Sequence, residues 1–427
     1  MNRIIRPVAA CALALAAFSI GSALSTGSAS AANCGLKPCT NPIPVGSCQP
    51  SSSLTVLVKG TSVVAYVPKG NWGGGALGVG VLNVEGVSIA NKLVVTPKVV
   101  NSCASNPITG QTVCSSNAAD VYLLTGTTLS KTVTSAGTLT IGFSGGSCTN
   151  CGVAMDAVHN KAVIGLSIAG APGFQFLNLA TSTFEKEFVS PAKQISEDPL
   201  IDPSRNLLLS ASEGGNYEIV NIATTTAPAF FEKTIALGDP DSSGEDCSTG
   251  IALAPGEFTS DVFLADLTKA TFTPGSPGKW TAPSQTQTLT GASLSAGASG
   301  IAVAQGTHIG IVSGEFGGNN ITAIKLPATS GSGVPAILDW VTCGLAGFNM
   351  GNDPHTLTAY QSPNGAKDAI AVLASLAGGT ATQLAVVDLT KMLNTTLVPR
   401  NAGGHNCTAG SLEVGPAGTV YSTLVVP

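Results

Sequence analysis

The chain has 427 residues, of which 10% are charged, and 19 Lys and Arg against 24 Asp and Glu give it a formal net charge of −5. A mildly acidic chain that is poor in lysine lacks the basic surface that nucleic acids and anionic membranes attract, so we exclude both as partners. The chain has 51 Gly, 25 Pro and a mean hydropathy of +0.34. Its apolar residues come in short runs bounded by Gly, Pro, Asn and Ser, which predicts many short strands.

The first 31 residues have the pattern of a secretion signal. Arg3 and Arg6 form a basic start, an apolar stretch covers 8–24, and 29–31 reads Ala-Ser-Ala, so we expect the mature chain to begin at Ala32. Cleavage removes two Arg and no acid, which makes the mature charge 17 − 24 = −7. No other long apolar run follows, so we expect a secreted or periplasmic bacterial protein without a transmembrane segment.

Ten of the 11 cysteines lie beyond this signal, and an even number in an oxidising compartment predicts disulfides. Three of them lie in a Cys- and Pro-rich leader, 32–53. Cys103 and Cys114 are expected to staple an inserted hairpin. Cys148 and Cys151 form a C-x-x-C pair. Because no βαβ pattern surrounds this pair and no second one completes a zinc site, we favour a structural disulfide over a redox or metal site.

The stretch 197–222 sets the pattern for the rest of the chain. It holds three short apolar runs separated by turn signals at 202–206 and 213–216, which predicts antiparallel strands joined by tight turns. Similar units begin near residues 78, 152, 198, 250, 300, 355 and 410, and most spacings approach the length of a four-stranded propeller blade. We therefore predict an all-β, seven-bladed β-propeller over 54–427. Pairing of its N-terminal and C-terminal strands would close the ring and leave no open sheet edge.

Particular residues carry a family resemblance. The segments 250–256 and 300–306 open with Gly before an apolar strand, 210–221 continues with a polar turn and an Ile-Val strand, and 54–70 matches the closing pair of strands. On these residues, the chain resembles the YVTN-type β-propeller repeat family of secreted bacterial proteins. The resemblance implies the propeller fold and two functional classes, because such repeats occur in binding proteins and in lactonase-like enzymes.

Acids and histidines gather in the loops that we expect to lead into the blades. In a four-stranded blade, these leading loops share one face with the loops between the second and third strands, so their residues should ring the mouth of the central channel. The candidates are Glu197, Asp198, Glu245, Asp246, Asp353, His355 and His405. Carboxylates suit Ca²⁺, and two histidines with a carboxylate suit a transition metal that activates water. The alternative is that these Asp residues are turn formers that bond the backbone. We interpret His159 and His308, beside strand turns, as structural histidines.

Two functions stay open. The first is a non-catalytic extracellular binding module, a monomer that recognises a protein, glycan or small-molecule ligand through this acidic loop face without an assigned cofactor. The second is a metal-dependent, lactonase-like hydrolase whose Ca²⁺ or other divalent cation would be held by Asp198, Asp246, Asp353, His355 and His405. The hydrolase requires several of these side chains to converge within about 5 Å of one point, whereas the binding module lets them spread around the rim.

Overall fold

The computed structural model describes residues 54–427 except 72–73, 117–119, 135–151, 169–170, 192–197, 213–214, 225–226, 239, 241, 258, 290–297, 315–318, 351–355, 376–379, 395, 403 and 413–419. The predicted signal and leader, and the Cys148–Cys151 pair, lie outside these residues. The described residues form 31 β-strands, a short α-helix and a 3-10 helix. None of their helices is both long and apolar enough to cross a membrane.

The first three blades follow one another along the chain, each as a four-stranded antiparallel sheet. Blade 1 holds β1 (Thr55–Lys59), β2 (Ser62–Asn71), β3 (Gly74–Glu85) and β4 (Lys92–Val94). Blade 2 holds β5 (Val100–Ser105), β6 (Gln111–Ser116), β7 (Asp120–Thr125) and β8 (Thr128–Thr134). Blade 3 holds β9 (Val153–Asp156), β10 (Lys161–Ile168), β11 (Ala171–Asn178) and β12 (Thr183–Val189).

Blades 4 and 5 are interleaved. Blade 4 holds β13 (Leu200–Asp202), β14 (Leu207–Ser212), β15 (Asn216–Asn221) and β16 (Ala229–Thr234). Blade 5 holds β17 (Gly244–Asp246), β18 (Ile251–Pro255), β19 (Asp261–Asp266) and β22 (Ser284–Thr288). Between β19 and β22 lie the 3-10 helix (Leu267–Lys269) and the hairpin β20 (Thr271–Thr273) and β21 (Gly278–Thr281). This hairpin leaves its own blade, because β21 pairs in parallel with β16 at the outer edge of blade 4.

Blades 6 and 7 are interleaved in the same way. Blade 6 holds β23 (Ala298–Ala304), β24 (Ile309–Gly314), β25 (Asn320–Lys325) and β26 (Asp339–Leu345). Blade 7 holds β27 (Leu357–Gln361), β28 (Ala369–Ala374), β29 (Gln383–Asp388) and the C-terminal β31 (Tyr421–Val425). Between β29 and β31 lie the helix α1 (Leu389–Leu393) and β30 (Asn406–Leu412). Strand β30 pairs in parallel with β26 and becomes the fifth strand of blade 6.

The hydrophobic core lies between the blades. The first strands of successive blades contact one another in a ring, and β27 of blade 7 contacts β1 of blade 1. In the described part of the chain, every pair of neighbouring blades shares one cluster of buried apolar side chains. Seven sheets joined by such contacts confirm the predicted seven-bladed β-propeller.

The predicted closure by pairing of the chain ends is wrong in its detail. Strand β1 pairs with β2 of its own blade, and the C-terminal β31 pairs with β29 of blade 7. Blades 7 and 1 instead meet face to face through a buried apolar cluster. Their approach is close, because a Cβ added at Gly80 would lie 2.5 Å from Cγ1 of Val426. Polar contacts reinforce it, since Glu85 accepts hydrogen bonds from Tyr360 at 2.7 Å and from Ser362 and Asn364 at 2.8 Å each.

Three predicted unit starts are wrong. Residue 78 lies in the third strand of blade 1, residue 250 directly precedes the second strand of blade 5, and residue 410 lies in the inserted strand β30. The hairpin expected to be an insertion around Cys103 and Cys114 instead supplies the two inner strands of blade 2, β5 and β6. Cys103 and Cys114 face each other across them and form the predicted disulfide. A second disulfide, Cys343–Cys407, joins β26 to β30.

Candidate functional site

Four of the seven candidate residues lie in the described part of the chain: Asp198, Glu245, Asp246 and His405. Glu197, Asp353 and His355 lie outside it. Asp198 lies at the entry to blade 4, and its side chain is buried. It leads into β13 and forms a parallel bridge with Ser242, which leads into β17, so these two residues mark the ends of the inner strands where the chain enters blades 4 and 5.

Glu245 and Asp246 do not lie in a leading loop. They belong to β17, the inner strand of blade 5, whose three residues Gly-Glu-Asp contain no apolar run for sequence analysis to detect. Asp246 ends this strand, four positions beyond Ser242. At about 3.3 Å per extended residue, Asp246 lies about 13 Å from the level of Asp198, toward the opposite face of the propeller.

A buried cluster of charges lies at that opposite end, around Arg205. Arg205 is 3% exposed and Asp202 and Glu245 are 0% exposed. Nη1 of Arg205 donates to Oδ2 of Asp202 at 2.5 Å, to Oε1 of Glu245 at 3.3 Å and to the Cys247 carbonyl at 3.2 Å. The cluster therefore joins the first turn of blade 4 to the inner strand of blade 5.

The electrostatics of this cluster follow from its burial. Burial raises the pKa of Glu245 well above its usual range, and the charge of Asp202 adds to the effect while Arg205 opposes it. Burial alone would lower the pKa of Arg205, but the two carboxylates outweigh it and raise that pKa instead. Arg205 thus remains charged and compensates acids that have no access to water.

Asp202, Glu245 and Cys247 bring ligand-type atoms within 4.8 Å of one another, as a metal site would. Two observations argue against that role. The Arg205 guanidinium already contacts the Asp202 and Glu245 carboxylates, and Cys247 is disulfide-bonded, so it offers no thiolate. The arrangement is a buried ion pair between blades.

Asp246 is also engaged by its neighbours. Its Oδ1 accepts from the Ser248 backbone N–H at 3.2 Å and from the Ser248 hydroxyl at 2.5 Å, while its Oδ2 lies 2.7 Å from Nδ1 of His308. His308 comes from the first turn of blade 6, so this contact joins blades 5 and 6. The structural interpretation of His308 is confirmed. His159 is structural as well, because its Nδ1 lies 2.7 Å from Asp156 and this hydrogen bond raises its pKa.

These acids share a sequence signal that the pattern of apolar runs does not reveal. Asp156, Asp202 and Asp246 each end an inner strand, and four residues later Asn160, Asn206 or Gly250 has a positive φ of 53°, 55° or 74°. The Asp side chain accepts backbone N–H groups inside the turn, and the Asn or Gly supplies the left-handed conformation that leads into the second strand. Asp at the first position and Asn or Gly at the fifth therefore mark the first turns of blades 3, 4 and 5.

His405 lies far from these acids. It immediately precedes β30, the fifth strand outward in blade 6, and four strand spacings of about 4.8 Å put that strand about 19 Å from β23. Its ring stacks on Trp340 with centroids 3.8 Å apart, and Nδ1 lies 3.1 Å from the Trp340 carbonyl. Beside it, Arg400 donates to both Asp339 oxygens at 2.7 and 2.9 Å, which holds the pKa of Asp339 below its usual value.

Glu218 is a second buried acid that sequence analysis did not single out. It lies in β15, is 0% exposed, and both its oxygens lie 2.9 Å from the Ser190 hydroxyl of blade 3. Burial raises its pKa from 4.5 to about 8, an effect that the hydrogen bond from Ser190 reduces and the charge of Glu232 increases. This carboxyl therefore helps to join blades 3 and 4.

Comparison with known proteins supports the architecture. No protein-family model and no curated protein matches the sequence. A chain in the crystal structure of the Mitotic Checkpoint Complex superposes with a TM-score of 0.51 at 11% identity, covering 81% of this chain and 91% of that one. The β-propeller domain of Cps50 (Swd1) from Myceliophteria thermophila superposes with a TM-score of 0.50 at 12% identity, covering 80% and 98%. At these identities the likeness concerns the fold alone, and the fold is that of a seven-bladed β-propeller.

Proposed function

We propose that the mature chain is a secreted β-propeller that acts as an extracellular binding module, and that the acidic face containing the leading loops recognises its partner. The N-terminal signal pattern and the oxidised cysteines support an extracellular location. The repeat residues at 250–256 and 300–306 support a relationship to the YVTN-type repeat family. The propeller fold is consistent with an interaction role.

The distances between the described candidate side chains favour binding over hydrolysis. Asp198 lies where the inner strands begin, Asp246 lies about 13 Å along them, and His405 is at the outer edge of another blade. A hydrolytic metal centre needs its ligands around one point. Glu245 and Asp246 are also engaged by Arg205, Ser248 and His308, so their oxygens already serve the packing of the blades.

The proposed face can be tested by neutralising its acids without changing their shape. We suggest Glu197→Gln with Asp353→Asn, two residues that sequence analysis assigns to leading loops. Purified wild type and variant would be immobilised and exposed to a glycan array and to fractionated envelope proteins of the producing bacterium. We expect a saturable wild-type interaction that the double variant weakens at least about tenfold, since central charged contacts contribute on that scale.

The matched control removes the same charge elsewhere. Glu185→Gln with Glu187→Gln alters β12, the outer strand of blade 3, and should leave the interaction unchanged. Equal weakening by both double variants would contradict the assignment of the face. Hydrolysis of lactones or esters by the wild type would contradict the non-catalytic proposal, particularly if His355→Ala abolished it.

A further inference from the structure

Cys247 forms a disulfide whose partner lies outside the described residues. Five cysteines are described, and four of them pair with one another as Cys103–Cys114 and Cys343–Cys407. Cys247 is the fifth, and it is disulfide-bonded as well. Its partner is therefore one of the five other cysteines of the mature chain, which are Cys34, Cys39 and Cys48 of the leader and the pair Cys148 and Cys151.

The backbone of Cys247 is held between two neighbouring blades. It follows directly on Asp246 in the first turn of blade 5 and is 8% exposed. Its N–H donates to Oε1 of Gln305 from blade 6 at 2.8 Å, and its carbonyl accepts from Arg205 of blade 4 at 3.2 Å. A segment bonded to Cys247 is thus fixed at the first-turn end of the propeller, beside the buried charge cluster.

Gly152, the residue after Cys151, lies at the opposite end of the propeller from Cys247. It precedes Asp156 by four residues, and Asp156 ends the inner strand of blade 3 as Asp246 ends that of blade 5. At about 3.3 Å per extended residue, Gly152 lies about 13 Å from the first-turn end. Consecutive Cα atoms are about 3.8 Å apart and a disulfide needs Cα atoms within about 7 Å, so Cys151 cannot reach Cys247.

The number of leader cysteines points to a bond between the leader and the propeller. Three is an odd number, so these cysteines cannot all pair within the leader. Cys148 and Cys151 close the shortest loop when they pair with each other, which costs the least entropy, whereas a bond from Cys148 to Cys247 would have to pass blade 4. With the C-x-x-C pair closed, the cysteines that remain for Cys247 are those of the leader.

The leader is also long enough to reach Cys247. It joins the described chain at Leu54, which is 0% exposed and directly precedes β1, the inner strand of blade 1. The five residues of β1 span about 16 Å between the two ends of the propeller. Cys39 lies 15 residues before Leu54, and 15 extended residues span up to about 50 Å.

We propose that Cys247 is bonded to one of the three leader cysteines. The leader then passes from the leading-loop end of blade 1 to the first-turn end of blade 5 and is a strap of the folded protein. In forming this bond, the two thiols lose two protons and two electrons to a disulfide oxidant of the secretion compartment, which is reduced to its dithiol.

Tryptic digestion of the secreted, non-reduced protein separates the alternatives. The three leader cysteines fall in peptide 32–59, because Lys37 precedes a proline and resists cleavage, while the C-x-x-C pair falls in 132–161 and Cys247 in 234–269. We expect mass spectrometry to find 32–59 linked to 234–269, a species that reduction with dithiothreitol abolishes. Peptide 132–161 should carry its own internal disulfide.

Both described disulfides serve as controls in the same digest. They must appear as Cys103–Cys114 within 99–131 and Cys343–Cys407 between 326–367 and 401–427. With these controls in place, a bond from Cys247 to a cysteine of 132–161 overturns the proposal. An unbonded Cys247 thiol that reacts with iodoacetamide overturns it as well.

Cys247→Ser gives a second measurement. It should release one leader cysteine, so that about one iodoacetamide-reactive thiol per chain appears in 32–59, where the wild type has none. The matched control Cys103→Ser should release its thiol in 99–131 and keep the link from the leader to Cys247. A released thiol in 132–161 of Cys247→Ser would contradict the proposal, and the wild-type map decides the matter if that variant does not fold.

Discussion

At the residue scale, the buried acids at the first turns of blades 4 and 5 help to hold neighbouring blades together. Asp202, Glu245 and Asp246 lie at the first turns of neighbouring blades and are fully buried. Each is satisfied by a partner on its own blade or the next one, through Arg205, Ser248 or His308. Buried charges persist in folded proteins only with such compensation. An acidic residue at a propeller turn therefore indicates a contact between blades as readily as it indicates a ligand site.

Removing the Arg205 guanidinium should destabilise the protein strongly. Arg205→Met leaves Asp202 and Glu245 buried without their positive partner, so we expect the free energy of unfolding at neutral pH to fall by about 3–5 kcal/mol. Urea unfolding, monitored by tryptophan fluorescence, measures this free energy. The control is Arg400→Met, which breaks the partly exposed pair with Asp339 and should cost about 1 kcal/mol or less. Equal losses in the two variants would show that Arg205 does not compensate buried charge.

Glu218 should make stability depend on pH. Its carboxyl ionises near pH 4.5 in the unfolded chain but has a pKa of about 8 in the folded protein. Between these values the folded state binds more protons than the unfolded state, so the free energy of unfolding falls as pH rises through this window. Glu218→Gln cannot ionise, and its stability relative to wild type should therefore rise by roughly 2–4 kcal/mol from about pH 5 to pH 8. A difference that is constant with pH would contradict the buried, protonated carboxyl.

At the element scale, the recurring feature is a connection that leaves one blade to cover the edge of the blade before it. The hairpin β20–β21, the segment 335–337 and the strand β30 all lie between the third and fourth strands of their own blades in sequence. The third and fourth strands of a blade need only a short turn, so the extra residues have another role. They lie against the fourth strands of blades 4 to 6, and the Cys343–Cys407 disulfide links β30 to β26.

The cover on blade 5 is held by two side chains of β22, because Gln285 donates to the Pro335 carbonyl and Gln287 bonds both backbone groups of Ile337. Gln287→Ala leaves the Ile337 N–H and C=O without these partners, and we expect a loss of about 1–3 kcal/mol in local stability. Hydrogen exchange followed by mass spectrometry should show faster exchange at 335–338. Thr286→Ala, at an exposed neighbouring position, should leave that segment protected. Unchanged exchange in Gln287→Ala would mean that packing and the Gln285–Pro335 hydrogen bond hold the cover without Gln287.

These covers also explain where sequence analysis succeeded and where it did not. Long apolar strands such as 251–255 and 300–304 were visible as runs, so the number of blades could be predicted. The inner strand Gly244–Asp246 is short and polar, which displaced the predicted start of blade 5 by one strand. The Cys343–Cys407 pair spans 64 residues and joins strands from different blades. No local pattern indicates such a pairing, whereas Cys103 and Cys114 lie in one hairpin and were paired correctly.

At the scale of the whole molecule, the ring closes by packing rather than by a shared sheet. Blades 7 and 1 bury the same kind of apolar cluster as the other neighbours, and Glu85 adds polar contacts to Tyr360, Ser362 and Asn364. The C-terminal strand completes blade 7 instead of blade 1. The ring closes between the first and last blades, but the two end strands do not share a sheet as predicted. A shared sheet was expected because 54–68 and 420–426 each supply only two predicted strands.

The arrangement of the blades also keeps the proposed metal ligands apart. The first-turn acids and Asp198 lie at opposite ends of inner strands, and His405 lies beside the fifth strand of blade 6, at the periphery. The fold therefore separates candidate ligands that the sequence predicted to lie together. A binding face that uses several separate loops is compatible with this distribution, whereas one ion held jointly by Asp198, Asp246 and His405 is not.

The most direct test of this account is the metal content of the secreted, purified protein by mass spectrometry, combined with its melting temperature before and after chelation. We predict less than about 0.1 ion of Ca²⁺, Zn²⁺ or another divalent metal per chain, because the described candidate ligands lie apart. We also predict no change in melting temperature with chelator, since removing a structural metal would lower the stability of the fold. About one tightly bound ion per chain, with a large fall in melting temperature on its removal, would contradict the account. It would direct attention to His355 and Asp353 as ligands of a built site.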